Sequence, residues 1–164
     1  MTERLPSPFI ADRPVLDYPL PSMRHVPGTG PAPDLGQLEA IKALVPSRTV
    51  ATAWRENVPY LYGMTLFAAS YYWEAHEVWE PVWMNSSPNS PERHLLQALI
   101  QYANAALKRD MGRARATRRL IEDCEGHLRR IPRAVGQGAF MGVDFVRWRA
   151  LLAEQSSVRM LHGD

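Results

Sequence analysis

The run Tyr71-Tyr72-Trp73-Glu74-Ala75-His76-Glu77-Val78-Trp79-Glu80-Pro81-Val82-Trp83 holds three of the chain's five tryptophans together with a histidine and three glutamates. At about 100° per residue, Tyr72, Trp73, His76, Trp79, Glu80 and Trp83 fall within roughly a third of a helix circumference, with Glu77 beside them. The spacing predicts a helix from about Tyr71 with aromatic and ionisable groups on one face. Neither a plain core helix nor a plain surface helix needs that mixture. Pro81 removes the hydrogen bond to the Glu77 carbonyl and crowds that turn, so a kink or break is expected near Glu80.

Helical signals continue on both sides. Ser90 as N-cap, Pro91 at the first helical position and Glu92 in the first turn open a helix to about Lys108, with a break at Asp110-Met111-Gly112. On it Gln97, Gln101, Asn104 and Lys108 form a polar stripe, and Leu95, Leu96, Leu99, Ile100, Ala103, Ala106 and Leu107 cover most of the rest. A further helix is expected over roughly Arg113 to Arg130, closed by Pro132. Gly136, Gly138 and Gly142 mark a loop before Asp144 caps a last helix with Phe145, Trp148 and Leu152 inward. Upstream, Asp34 is expected to cap a first helix through about Val45, and Asn57 with Pro59 a second carrying Tyr60, Met64 and Phe67. No strand alternation or fixed-period repeat is visible. The expected fold is all-α, a compact bundle or array of about five to six helices.

Eight of the fourteen prolines lie before position 35. They predict an extended Pro-rich arm over residues 1–33, ahead of a single helical domain over 34–164. Leu5, Phe9, Ile10, Val15, Leu16, Tyr18, Leu20 and Met23 give the arm apolar content suited to wrapping over the body, or to joining copies in a homo-oligomer.

A chain of 164 residues, 46% hydrophobic and 22% charged, has the size and composition of one globular domain. No apolar run approaches the roughly 20 residues of a membrane span, and the start of the chain does not read as a signal peptide, so a cytoplasmic protein without membrane contact is expected. The lone Cys124 excludes an internal disulfide and shares an arc with Leu120, Ile121, Leu128 and Ile131, which reads as core. Net charge is only +2, but nine basic and four acidic residues between Lys108 and Arg133 make that stretch +5. Phosphate contacts there, with Trp148 stacking on a base between Arg147 and Arg149, would suit nucleic acid. The i,i+4 pairs Arg118–Glu122 and Arg119–Asp123 favour an ordinary solvated helix face instead. His25, His94, His127 and His162 read as isolated surface or linker residues.

Three readings of the central face stay open. His76 and the carboxylates hydrogen-bond to Gln97, Gln101 and nearby indoles as a structural seam. Alternatively, His76 and Glu80 ligate a divalent metal, with Glu77 as a further ligand or general base; the pattern partly matches H-E-x-x-H, but Glu80 stands where the second histidine belongs. In the third, Glu77 or Glu80 and His76 act as an acid–base pair on a small ligand among Trp73, Trp79 and Trp83.

Leu66-Phe67, Tyr72-Trp73-Glu74-Ala75-His76-Glu77-Val78-Trp79-Glu80, Trp83, Ala98-Leu99-Ile100-Gln101 and Lys108-Arg109 together resemble the family known as domain of unknown function 309. The resemblance covers roughly Tyr60 to Arg130 and implies an all-helical fold without an assigned activity. This chain has Ala68 and Ser70 where the family often has Asn and Gly, and Ala98 where it has Gly. The residues thus point to a helical binding or interaction module whose seam is structural or takes a small-molecule ligand, or to a metal-assisted hydrolase using His76, Glu77 and Glu80.

Overall fold

The computed structural model describes residues 5–161. Its elements in chain order are α1 (Gly36–Lys42), a short 3-10 helix (Ala51–Glu56), α2 (Val58–Ala68), α3 (Tyr72–Met84), α4 (Pro91–Asp110), α5 (Ala114–Arg129), β1 (Ala139–Phe140), β2 (Val143–Asp144) and α6 (Phe145–Leu161). The fold is mostly helical, as the periodicity requires. α2 packs on α3, α3 on α4 and α4 on α5, while α1 lies against α3 and α2.

Caps explain most boundaries. Asn57 accepts the Tyr60 N–H through its side chain at 3.2 Å, and Ser90 accepts that of Arg93 at 3.1 Å. Asp144 Oδ1 accepts from the Arg147 N–H at 3.0 Å, and Phe145, Trp148 and Leu152 are buried. At the end of α2, Ser70 adopts φ 71°, with Ser70 N–H bonded to Phe67 O and Tyr71 N–H to Leu66 O. This is a left-handed helix stop normally given to glycine, and here Ser70 performs it. Gly112, at φ 73°, closes α4 in the same way.

Four expectations need correction. Asp34 does not cap α1: its carboxylate accepts the Gly36 N–H, the N-cap is Leu35, and the helix ends at Lys42 rather than Val45. Of the kink or break expected at Pro81, the break does not occur, since α3 continues to Met84. Two short strands exist, β1 pairing antiparallel with β2 through Phe140 and Val143. Met141 and Gly142 join them at φ 53° and 79°, the two positive angles of a type I′ hairpin turn. Lastly, Trp148 is fully buried and so offers no ring for a base to stack on.

The arm packs on the body. Phe9 meets Phe67 and Trp79 edge-on at 5.9 and 6.1 Å, and backbone bonds from Ile10 to Gly142 and from Asp144 to Pro8 tie the arm to the hairpin. Further along, Tyr62 and Tyr71 hydroxyls donate to the Pro19 and Pro21 carbonyls. Cys124 is buried, and burial pushes its thiol well up, consistent with a core residue. No helix of the described residues is long and apolar enough to cross a membrane.

Candidate functional site

The face of α3 is divided among three neighbours. Trp79 turns into the core, where its Nε1–H donates to the Tyr60 carbonyl at 3.1 Å. Trp73 lies under the arm, with the His25 ring edge-on to it at 4.7 Å. Glu77 reaches α1, where its carboxylate meets the Lys42 ammonium at 2.7 Å. Burial by itself would lower the Lys42 pKa, but the hydrogen bond and charge of Glu77, helped by Glu39, leave it raised.

His76, Glu80 and Trp83 instead line an open groove with Gln97, Ile100 and Gln101 of α4 and His127 of α5, enclosing about 240 Å³. The short Asn85–Ser90 connection folds α4 back beside α3, and i,i+4 spacing puts Gln97 and Gln101 on the side that faces the His76 turn. The amide stripe therefore does confront the His-Glu stripe. The satisfied seam does not form, however. Among the described residues neither Gln97 nor Gln101 bonds to His76 or Glu80; Gln101 accepts from Asn104, and His76 Nε2 lies 3.5 Å from Glu80 Oε2.

Several polar groups here have no partner. Trp83 is clamped by Arg93, whose guanidinium lies 4.6 Å over the ring and donates to the Trp83 and Ser86 carbonyls. Its Nε1–H is nonetheless buried without an acceptor, and the Nδ1 atoms of His94 and His127 are likewise buried and unpartnered. His127 and His94 are thus not isolated surface residues. Burial first, then the charges of Arg130 and His94, hold the His127 pKa below its ordinary value, which leaves the ring neutral at pH 7. His25 is not a free linker residue either, since its backbone N–H bonds to Glu74. His162 lies outside the described residues.

One donor cluster has metal-ligand character: single ligand atoms of His76, Glu77 and Glu80 lie within 4.8 Å of one another. Residues 60–120 match the family model described as domain of unknown function (DUF309). That stretch of the chain is similar to the DUF309 family. No curated protein and no solved structure matches the chain. The matched segment runs from the first turn of α2 into α5 and so contains His76, Glu77, Glu80, Trp83, Gln97 and Gln101. Lys42 and His127, which complete the surroundings of this face, come from outside that segment. Sequence reading missed both. His127 follows buried Cys124 by three residues on α5, a helical spacing that points it toward the same core-facing arc. Lys42 carried no such signal, because its partner is set by how α1 docks on α3.

Proposed function

We propose that this protein is a small-ligand binding module whose site is the groove between α3, α4 and α5. The observation that carries this reading is that Trp83 and His127, both residues of the lining, each hold a ring nitrogen buried without a partner, Nε1–H and Nδ1. A buried polar group without a partner costs about 1–3 kcal/mol, which a ligand with matching atoms would offset once a turn of the ring brings the nitrogen to the groove. A volume of about 240 Å³ suits a ligand of a few heavy atoms. An indole donor, two amides, a neutral imidazole and the Ile100 side chain favour a small carboxamide, or a carboxylic acid seated away from the Glu80 carboxylate that shares the lining. Calorimetric titration with a panel from acetate to succinate and from acetamide to glutaramide tests it. Saturable binding is expected, weakened about tenfold in Trp83→Phe through loss of one buried hydrogen bond. A panel that gives no saturation, or affinity unchanged in that variant, contradicts the reading.

The clustered ligand atoms of His76, Glu77 and Glu80 favour a second reading, a divalent metal held by His76 and Glu80 for hydrolysis with Glu77 as base. The ion pair with Lys42 opposes it, because Glu77 would have to leave an ammonium at 2.7 Å to serve a metal or a water. Elemental analysis of protein purified without added metal separates the two. A stoichiometric transition metal lost in His76→Ala supports the hydrolase, and its absence from well-folded protein rejects it.

A further inference from the structure

The basic stretch of α5 leads into a cleft that shares no lining residue with the groove beside α3. Arg129 at the end of α5, Arg133 in the turn beyond it and Arg149 of α6 line a cavity of about 470 Å³ whose apolar wall is Leu128 and Ile131. Both of those side chains are buried. An adjoining hollow of about 200 Å³ shares Leu128, Arg129 and Arg149 and brings one carboxylate, Glu125, to the rim.

Three guanidiniums in one cleft repel one another unless something negative sits between them. Among the described residues none of the three has a carboxylate within 4.0 Å. Arg149 is also fixed in place. It donates to the Gly136 carbonyl at 2.7 Å and lies 5.7 Å over the Phe145 ring. A Cβ at position 136 would stand 2.7 Å from its guanidinium nitrogen, so the absence of a side chain there is what admits the group. A held arginine with free donors loses little freedom on binding, and the planar fork matches phosphoryl oxygens.

We propose that this cleft binds a small organophosphate, with the phosphoryl group on Arg129, Arg133 and Arg149 and the organic part against Leu128 and Ile131. The cavity falls within the roughly 300–1,000 Å³ typical of small-molecule sites. Burial of Trp148 removes the stacking platform that a single-stranded nucleic acid would use. The site is separate from the groove beside α3 and does not depend on that groove's function.

Calorimetry on the full chain at fixed ionic strength tests this with adenosine monophosphate, phenyl phosphate, inorganic phosphate and adenosine. Saturable binding of the two esters is expected, weaker binding of inorganic phosphate and none of adenosine. Arg133→Glu and Arg129→Glu, both exposed positions, are expected to weaken the esters at least tenfold with unchanged melting. Arg115→Glu, on the same helix but outside the cleft, is expected to leave them unchanged. The proposal is overturned if neither ester saturates, if Arg115→Glu weakens binding as much as Arg133→Glu, or if an oligonucleotide binds more tightly than the esters.

Discussion

Glu74 is 2% exposed yet ionisable, and its surroundings satisfy it only in part. Oε2 accepts the His25 backbone N–H at 2.9 Å, while Oε1 is buried without a partner. Burial raises its pKa, and this outweighs the His25 hydrogen bond and the charges of His25 and Arg24, which lower it. A folded-state value above the ordinary 4.5 means that just above that pH the folded chain holds a proton the unfolded chain has lost. Stability contributed by this residue therefore falls as pH rises through the window and stays low once Glu74 is ionised. Glu74→Gln keeps the acceptor for His25 and removes the charge. Urea midpoints of the variant are expected to rise relative to wild type between about pH 4.5 and neutrality and to converge below it; a difference constant with pH contradicts this. Helical spacing set Glu74 off the polar face, but its burial under a backbone from position 25 was not legible, because periodicity describes one helix and not what covers it. His127 was hidden by the opposite error, a titratable residue read alone when its neighbour on the same arc, Cys124, had already been assigned to the core.

Between elements, α2 approaches α3 closely at Gly63. A Cβ at Gly63 would overlap the Trp79 indole at Nε1, so the helix backbone itself forms the wall against which the indole rests. Gly63→Ala must displace that ring and its hydrogen bond to the Tyr60 carbonyl. A loss of about 1–3 kcal/mol is expected in urea denaturation, the usual range for overpacking a filled core. A change below about 0.5 kcal/mol would mean that α2 and α3 separate more easily than this packing implies. The helices themselves were largely readable, since Asn57, Ser90 and Asp144 carry side-chain acceptors in the cap position and bond as caps do. Asp34 failed because its carboxylate was taken by the Gly36 N–H in a turn just before the helix. The hairpin failed because the pair at its positive-φ positions is Met141-Gly142, not the Asn-Gly or Asp-Gly that announces such a turn. Met141 is held there by its burial and by the Tyr60 hydroxyl donating to its carbonyl at 2.7 Å.

Across the molecule, the arm supplies part of the core rather than only a cover. Leu5 and Phe9 are buried, whereas Val15, Leu20 and Met23 remain exposed. Phe9→Ala is expected to cost about 3–5 kcal/mol in urea denaturation of the full chain, as for other buried phenylalanines. A cost under about 1 kcal/mol would place the arm outside the cooperative unit. The all-helical class and the confrontation of α3 with α4 follow from sequence spacing. Which groups remain unpartnered in the groove does not follow, because it depends on Arg93 taking one face of Trp83 and on α5 delivering His127. That open hydrogen-bonding capacity is the centre of the functional reading. Nitrogen-15 NMR of the labelled chain observes it directly, with the Trp83 indole signal assigned by its loss in Trp83→Phe and the His127 imidazole by His127→Ala. Titration with the small carboxylates and carboxamides is expected to move both signals along one saturating curve, with the dissociation constant found by calorimetry. Signals that stay fixed while any member of the panel saturates elsewhere, or that no member moves, would contradict a ligand site in the groove.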